Sequence, residues 1–316
     1  MTWTAWPGPT EACVSELCDF AYALVPPMRR HLHDPDIAIA LTLSGLEIHA
    51  FSISGLATYV AVPSFDACFD LGHCSVYASH QRNVILSHVH QDHSLGVVRH
   101  LSLRAMTGAR PSRIFVPEES REDLIAMLRA YDKLEGKEAR PLETIVSGVR
   151  AGETFDLSPN RKVRSFDVTH RIASRGYTVT ETRRKLRPQY VGLPGTEIRE
   201  ARDRGDDLYT YTDVNLFTYI GDSTIETLDR TPEVGESAVL FLEATHLPGT
   251  SREVSAKYGH THIEELVELY ARRPEALASP NIVLKHFSMK YRHDDILAAK
   301  AILPAGLRER VTFLVQ

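Results

Sequence analysis

Cysteine is scarce in this chain. Cys13, Cys18, Cys68 and Cys74 are the only four in 316 residues, and no two form a C-x-x-C pair. That spacing excludes a zinc ribbon and a thioredoxin-type motif, and the low number suits a reducing, cytoplasmic setting. Long apolar runs are missing too. Nothing approaches the roughly 20 residues of a membrane helix, so no membrane partner is expected. The opening MTWTAWPGPTEACVSEL carries Glu11 and Glu16 and no basic stretch, so it does not read as an export signal. Positive charge is not in excess. With 36 Lys+Arg against 41 Asp+Glu the formal net charge is −5, which excludes a protein that grips nucleic acid through bulk charge. Any such contact needs a local basic patch. Repeats, low-complexity tracts and long charged tails are absent. The remainder is 43% hydrophobic and 24% charged, an ordinary globular balance that excludes disorder and coiled coil.

Residues 1–44 are read as an N-terminal extension, partly helical. Val14, Leu17, Cys18 and Ala21 share one face of a predicted helix over Glu11–Leu24, and Pro26-Pro27 stops it. Short apolar runs begin at Ile37, punctuated by Gly55, Pro63 and Gly72, and predict a strand-rich opening. The run NVILSH over 83–88 has no alternation, as in a strand buried on both faces. Helices are then predicted over 94–106, 118–133, 262–271 and 294–301. Strands are predicted over 113–117, 143–147, 162–168, 176–181, 215–220, 238–243, 282–287 and 311–315. The polar stretch 182–214, rich in Arg and Gly, reads as an arm leaving an α/β (α+β) domain that spans 45–316.

The strongest local signal is Ser87-His88-Val89-His90-Gln91-Asp92-His93, an H-x-H-x-D-H turn directly after a buried strand. Imidazole and carboxylate suit Zn, Mn or Fe, and the absence of Cys argues against a purely structural zinc. On such a turn His88 and His90 can point one way and Asp92 and His93 another, which suits two metals side by side. Three later positions repeat the grammar. His170 ends VRSFDVTH, Asp222 ends LFTYIGD and His286 falls in IVLKHF, each at the close of an apolar run. In α/β sheets ligands gather at strand ends.

These motifs resemble the metallo-β-lactamase superfamily and, within it, the tRNase Z (ribonuclease Z) family. The similarity runs in order through HRIASRGY (170–177), IGDS (220–223), LFLEATHL (240–247), GHTH (259–262) and LKHFSMKY (284–291). The segment KLRPQYVGLPGTEIREAR (185–202) resembles the plant-type short form. The resemblance implies an αββα sandwich, two mixed sheets flanked by helices. It implies two zinc ions per subunit, with manganese the alternative. One would be held by His88, His90 and His170, the other by Asp92, His93 and His286, with Asp222 bridging.

A dinuclear centre of this kind is expected to cleave a phosphodiester by clamping its oxygens and activating a water. Asp92 is expected to orient and deprotonate that water. The resemblance makes His260, supported by Glu243, the proton donor to the leaving oxygen. Ser174 and Lys290 are candidates for substrate contact, with Lys290 standing where the family usually has Arg. Arg183, Arg184, Lys185 and Arg187 open the arm, which in this family grips tRNA, although Glu197, Glu200, Asp203, Asp206 and Asp207 follow them. The expected activity is removal of the 3′ trailer of precursor tRNA, leaving a 3′ hydroxyl, by a head-to-tail homodimer. A same-fold hydrolase of a small substrate, a cyclic nucleotide, ester or lactone, is the alternative.

Overall fold

The computed structural model describes residues 34–316. The helix expected over Glu11–Leu24 lies outside the described residues. The first sheet follows chain order: β1 (Ile39–Leu43), β2 (Leu46–Ser54), β3 (Ala57–Val62), β4 (Ala67–Leu71), β5 (Asn83–Ile85), β6 (Arg113–Pro117) and β7 (Val146–Val149). Its opening is an antiparallel meander, and from β4 onward the pairings are parallel. The second sheet contains β8 (Thr154–Ser158), β9 (Arg161–Asp167), β10 (Arg175–Leu186), β11 (Tyr209–Tyr219), β12 (Val239–Glu243) and β13 (Ile282–Lys285). The chain then crosses over. β14 (Phe287–Ser288) pairs with β2 of the first sheet, and β15 (Val311–Phe313) returns to β13.

Strand periodicity sorts the side chains into layers. Ile48, Phe69 and Ile85 from one sheet meet Tyr177, Phe217, Phe241 and Val283 from the other in the central core. Ile282 and Leu284, the neighbours of Val283, face outward onto the helix Ile263–Arg272, where Leu266 and Leu269 cover them. On the far side, Val84 and Ile114 pack under Val97 and Leu101 of the helix Gly96–Met106 and under Leu124 and Leu128 of Arg121–Leu134. The layers run helix, sheet, sheet, helix, as the resemblance implies.

Several local expectations shift. The domain boundary expected at 45 moves forward, because β1 pairs along its length with β2 and the compact unit begins at Pro35. The strand expected over 143–147 starts as a helical turn, Leu142–Ile145, and becomes extended only at Val146. The strand expected over 282–287 breaks at His286, whose φ of 66° is left-handed, and this bend carries the chain from one sheet to the other. The arm is more regular than its composition suggests. β10 and β11 continue as a paired ribbon as far as Leu186 and Tyr209, and the helix Gly195–Asp203 lies beyond it. Both ribbon faces are polar there, so no apolar alternation marks the strands. Cross-strand pairs such as Thr180–Asn215 and Thr182–Asp213 hold the ribbon instead.

Candidate metal centre

Strand ends at one edge of the sandwich deliver the ligand-type residues to a common point. His88 and His90 follow β5, and Asp92 and His93 lie on the helical turn Gln91–Ser94. His170 follows β9, Asp222 follows β11 and His286 follows β13. His88, His90, His170 and Asp222 each offer one atom, all within 4.8 Å of one another, and Asp92, His93 and His286 form a second such group. Asp222 faces both. Its Oδ2 lies 3.7 Å from His88 Nε2 and its Oδ1 lies 3.3 Å from His93 Nε2. Gly221 allows the two sheets to meet here, because a Cβ on it would fall 2.2 Å from Ser87 Oγ.

Four of the five ligand rings are aimed from behind. Nδ1–H of His88 donates to Ser87 Oγ at 2.9 Å, that of His93 to Asp70 Oδ2 at 2.7 Å, that of His170 to the Gly259 carbonyl at 2.8 Å and that of His286 to Thr245 Oγ1 at 2.9 Å. These bonds fix the orientation of the four rings and turn Nε2 of each toward the centre. Asp92 is held through Oδ2 by the Gly55 amide at 2.7 Å.

The converging atoms mostly face one another. Ring nitrogens confront each other, His88 Nε2 and His90 Nδ1 at 2.9 Å and His93 Nε2 and His286 Nε2 at 3.2 Å. Asp222 Oδ1 is buried without a hydrogen-bond partner. Burial keeps His88, His90 and His170 below the ordinary imidazole range, hence neutral. Burial opposes charge on His93, but Asp222 and Asp70 outweigh it and raise its pKa to about 10. Burial likewise works against ionised Asp92 and Asp222, yet the facing imidazoles, His286 first, hold both carboxyls below their usual range. Neutral His88, His90 and His170, a His93 whose Nε2 proton a cation would displace, ionised carboxylates and an orphaned oxygen fit divalent cations of the zinc and manganese type.

Beside this cluster stands a second arrangement. Nδ1–H of His260 donates to Glu243 Oε1 at 2.8 Å, and Thr245 Oγ1–H donates to Glu243 Oε2 at 2.6 Å. Burial pushes His260 down, but the charge and hydrogen bond of Glu243 dominate and raise it to about 9. His262, in the same turn, is occupied structurally. Its ring accepts from the Glu264 amide and caps the helix Ile263–Arg272.

The other candidates are not drawn into the cluster. Ser174 is 2% exposed and its hydroxyl has no partner, so it lies beneath the surface. Lys290 is exposed and donates to Thr250. On the ribbon, Arg183 pairs with Glu181, Arg187 pairs with Asp207, Arg184 lies over the Tyr209 ring and Lys185 is exposed. Sequence reasoning missed Asp70 and Thr245. A carboxylate inside the apolar strand ACFDL was the available signal, since a buried charge requires partners.

Known proteins are similar to this chain in sequence and in fold. The chain is 32% identical over 280 residues to a tRNase Z of Arabidopsis thaliana, covering 88% of this chain and 98% of that one. The chain belongs to the tRNase Z family. A chloroplastic tRNase Z of the same plant is 30% identical over 288 residues, covering 88% of this chain and 78% of the relative. No family model matches the chain. Among solved structures, a metallo-β-lactamase fold protein of Bacillus subtilis superposes with a TM-score of 0.56 at 15% identity, covering 85% of this chain and 97% of that one. The short form of human tRNase Z gives 0.51 at 15% identity, covering 89% and 95%. The fold is therefore that of the metallo-β-lactamases. Within the tRNase Z family, the convergence of His88, His90, Asp92, His93, His170, Asp222 and His286 is the feature from which a reaction can be derived.

Proposed function

We propose that this member of the tRNase Z family is a dinuclear-metal endoribonuclease that removes the 3′ trailer of precursor tRNA. The observation that carries the reading is the adjacency of a converging seven-residue cluster and a charged His260–Glu243 pair. His88, His90 and His170 would hold one cation, Asp92, His93 and His286 the other, with Asp222 between them. Zinc suits the donor set, with manganese the alternative. When bound, such cations supply an acidified water and neutralise charge on the phosphate oxygens.

The protein groups account for orientation and proton movement. Asp92, ionised and held by Gly55, aligns the attacking water and takes its proton as the new P–O bond forms. As the P–O3′ bond breaks, His260 donates its Nε2 proton to the leaving oxygen, while Glu243 stabilises the imidazolium and fixes its ring. The tRNA keeps a 3′ hydroxyl and the trailer takes the phosphate on its 5′ end.

A homodimer and a cytoplasmic setting complete the proposal. The exposed arm supports the first, with Tyr211 on the ribbon and Val191 beyond it about two-thirds exposed at 66% and 65%. The buried free thiols Cys68 and Cys74 support the second. No helix among the described residues is long and apolar enough to cross a membrane. Internal pairing of Arg183 and Arg187 weakens the arm as a phosphate grip and favours the small-substrate reading. Competition separates the two. The zinc-loaded protein is given trailer-bearing precursor tRNA together with a cyclic nucleotide. A kcat/KM favouring the precursor by orders of magnitude is expected, and a preference for the cyclic nucleotide would overturn the reading.

A further inference from the structure

Arg183 and Arg187 of the ribbon are paired within the protein, so further basic groups for a phosphate chain are sought elsewhere. Two stand beside the metal centre. Arg171 follows His170 directly and is exposed, and Lys257 lies on the helix Arg252–Tyr258 that leads into the His260 turn. Neither side chain has a hydrogen bond or ion pair among the described residues. Both lean on one ring. The Arg171 guanidinium lies 5.9 Å and the Lys257 ammonium 5.5 Å from the centroid of Tyr258. Tyr258 is 45% exposed, a large aromatic surface left in water two residues before His260.

The two loops are locked together. Gly259, left-handed at φ 74°, gives its carbonyl to His170, and a Cβ there would lie 2.8 Å from His170 Nδ1 and 3.1 Å from Arg171 Cγ. The aromatic surface and its two cations are thereby fixed relative to both the cluster and His260. An exposed ring flanked by unpaired cations is the arrangement that binds single-stranded nucleic acid. Bases stack on the ring, cations follow the backbone, and each base offers a π-face whatever its identity.

We infer that Tyr258, with Arg171 and Lys257, forms a nucleobase subsite for the nucleotide whose 3′ oxygen leaves. The side of the cut follows from His260. It protonates the leaving oxygen, and Tyr258 shares its turn, so the nearest base belongs to the nucleotide that keeps the new hydroxyl. Arg171 and Lys257 then meet the phosphate on the 5′ side of that nucleotide. The inference rests on the endoribonuclease reading and adds the residue that tells a nucleotide chain from a small diester.

The test is a cycle on the full-length zinc-loaded protein with trailer-bearing precursor tRNA, intact or abasic at the last nucleotide before the cut. Stacking of one base corresponds to about 5- to 150-fold in kcat/KM. Tyr258→Ala is expected to lose that factor on the intact substrate, mainly in KM, while Tyr258→Phe restores it. Wild type should lose a similar factor on the abasic substrate, and the two losses should overlap rather than multiply. Arg171→Gln with Lys257→Gln should weaken binding and flatten its salt dependence. Multiplying losses, or an unaffected Tyr258→Ala enzyme, would overturn the subsite while leaving the endoribonuclease standing. No cut by wild type would overturn both.

Discussion

Asp70 offers the sharpest test of how the cluster is held. It is fully buried and left-handed at φ 54°, a backbone position that persists only when its surroundings enforce it. Its carboxylate accepts four hydrogen bonds, from the Ser87 amide at 2.6 Å, Ser87 Oγ at 2.9 Å, His93 Nδ1 at 2.7 Å and Tyr219 Oη at 2.6 Å. Asp70→Asn keeps the shape and removes the charge. If the amide oxygen remains toward the Ser87 amide, its NH2 faces His93. Ser87 and Tyr219 can turn their hydroxyls to accept. His93 can answer only by moving its proton to Nε2, the atom that faces the metal position. Loss of a partner behind a ligand histidine typically costs 10- to 100-fold in metal affinity, and loss of a charge-assisted bond costs about 1.5–3 kcal/mol of stability. Zinc binding in competition with a chromophoric chelator measures the first, and chemical denaturation of the zinc-free protein measures the second. One cation should weaken by about 10- to 100-fold, and the one assigned to His88, His90 and His170 should change less. If Asp70→Asn binds both cations as wild type does and unfolds at the same denaturant concentration, the positioning argument is wrong.

Other perturbations separate the roles of neighbouring groups. Asp92→Ala should abolish turnover and weaken one cation while leaving the other, read by metal content after dialysis alongside a cleavage assay. His260→Ala should retain both cations and lose about 10²- to 10⁴-fold in rate; full activity would refute its role as proton donor. The raised His260 pKa also has a stability signature in the zinc-free protein. Its contribution is complete below the ordinary value of 6.5 and fades as pH climbs through about 9. Wild type should therefore lose up to about 3 kcal/mol more than His260→Gln across that window, measured by denaturant midpoints. Gly221→Ala should separate the sheets at the site, because its Cβ would overlap Ser87 Oγ at 2.2 Å. Both melting temperature and metal retention should fall, whereas Gly152→Ala, with open space around it, should leave metal retention intact.

The seven converging residues were legible in the sequence because four crowd into one turn after a buried strand and three each follow an apolar run, and a strand end fixes the direction of the side chain that follows it. His93 and His286 come from different sheets, yet the pattern placed both. The groups behind them were harder to see. Thr245 has an ordinary composition signal, and its importance comes from tertiary contact with His286 and Glu243 across 41 residues and two residues respectively. The expectation of a continuous strand over 282–287 rests on the apolar residues Ile282, Val283, Leu284 and Phe287. The left-handed backbone of His286, which sends Phe287 into the other sheet, leaves no mark in composition. The ribbon failed for the opposite reason. Thr, Arg, Glu and Asp occupy both of its faces, so pairing is set by the backbone ladder and no buried face reports the strand period.

The central claim is tested most directly by mapping a cut. End-labelled precursor tRNA with a 3′ trailer is incubated with the zinc- or manganese-loaded protein, and the termini of both products are identified. The account expects one cut at the junction of tRNA and trailer, a 3′ hydroxyl on the tRNA, a 5′ phosphate on the trailer, and no product with Asp92→Ala. Cleavage elsewhere, or no cleavage of the precursor by a protein that still hydrolyses a simple phosphodiester, would contradict it.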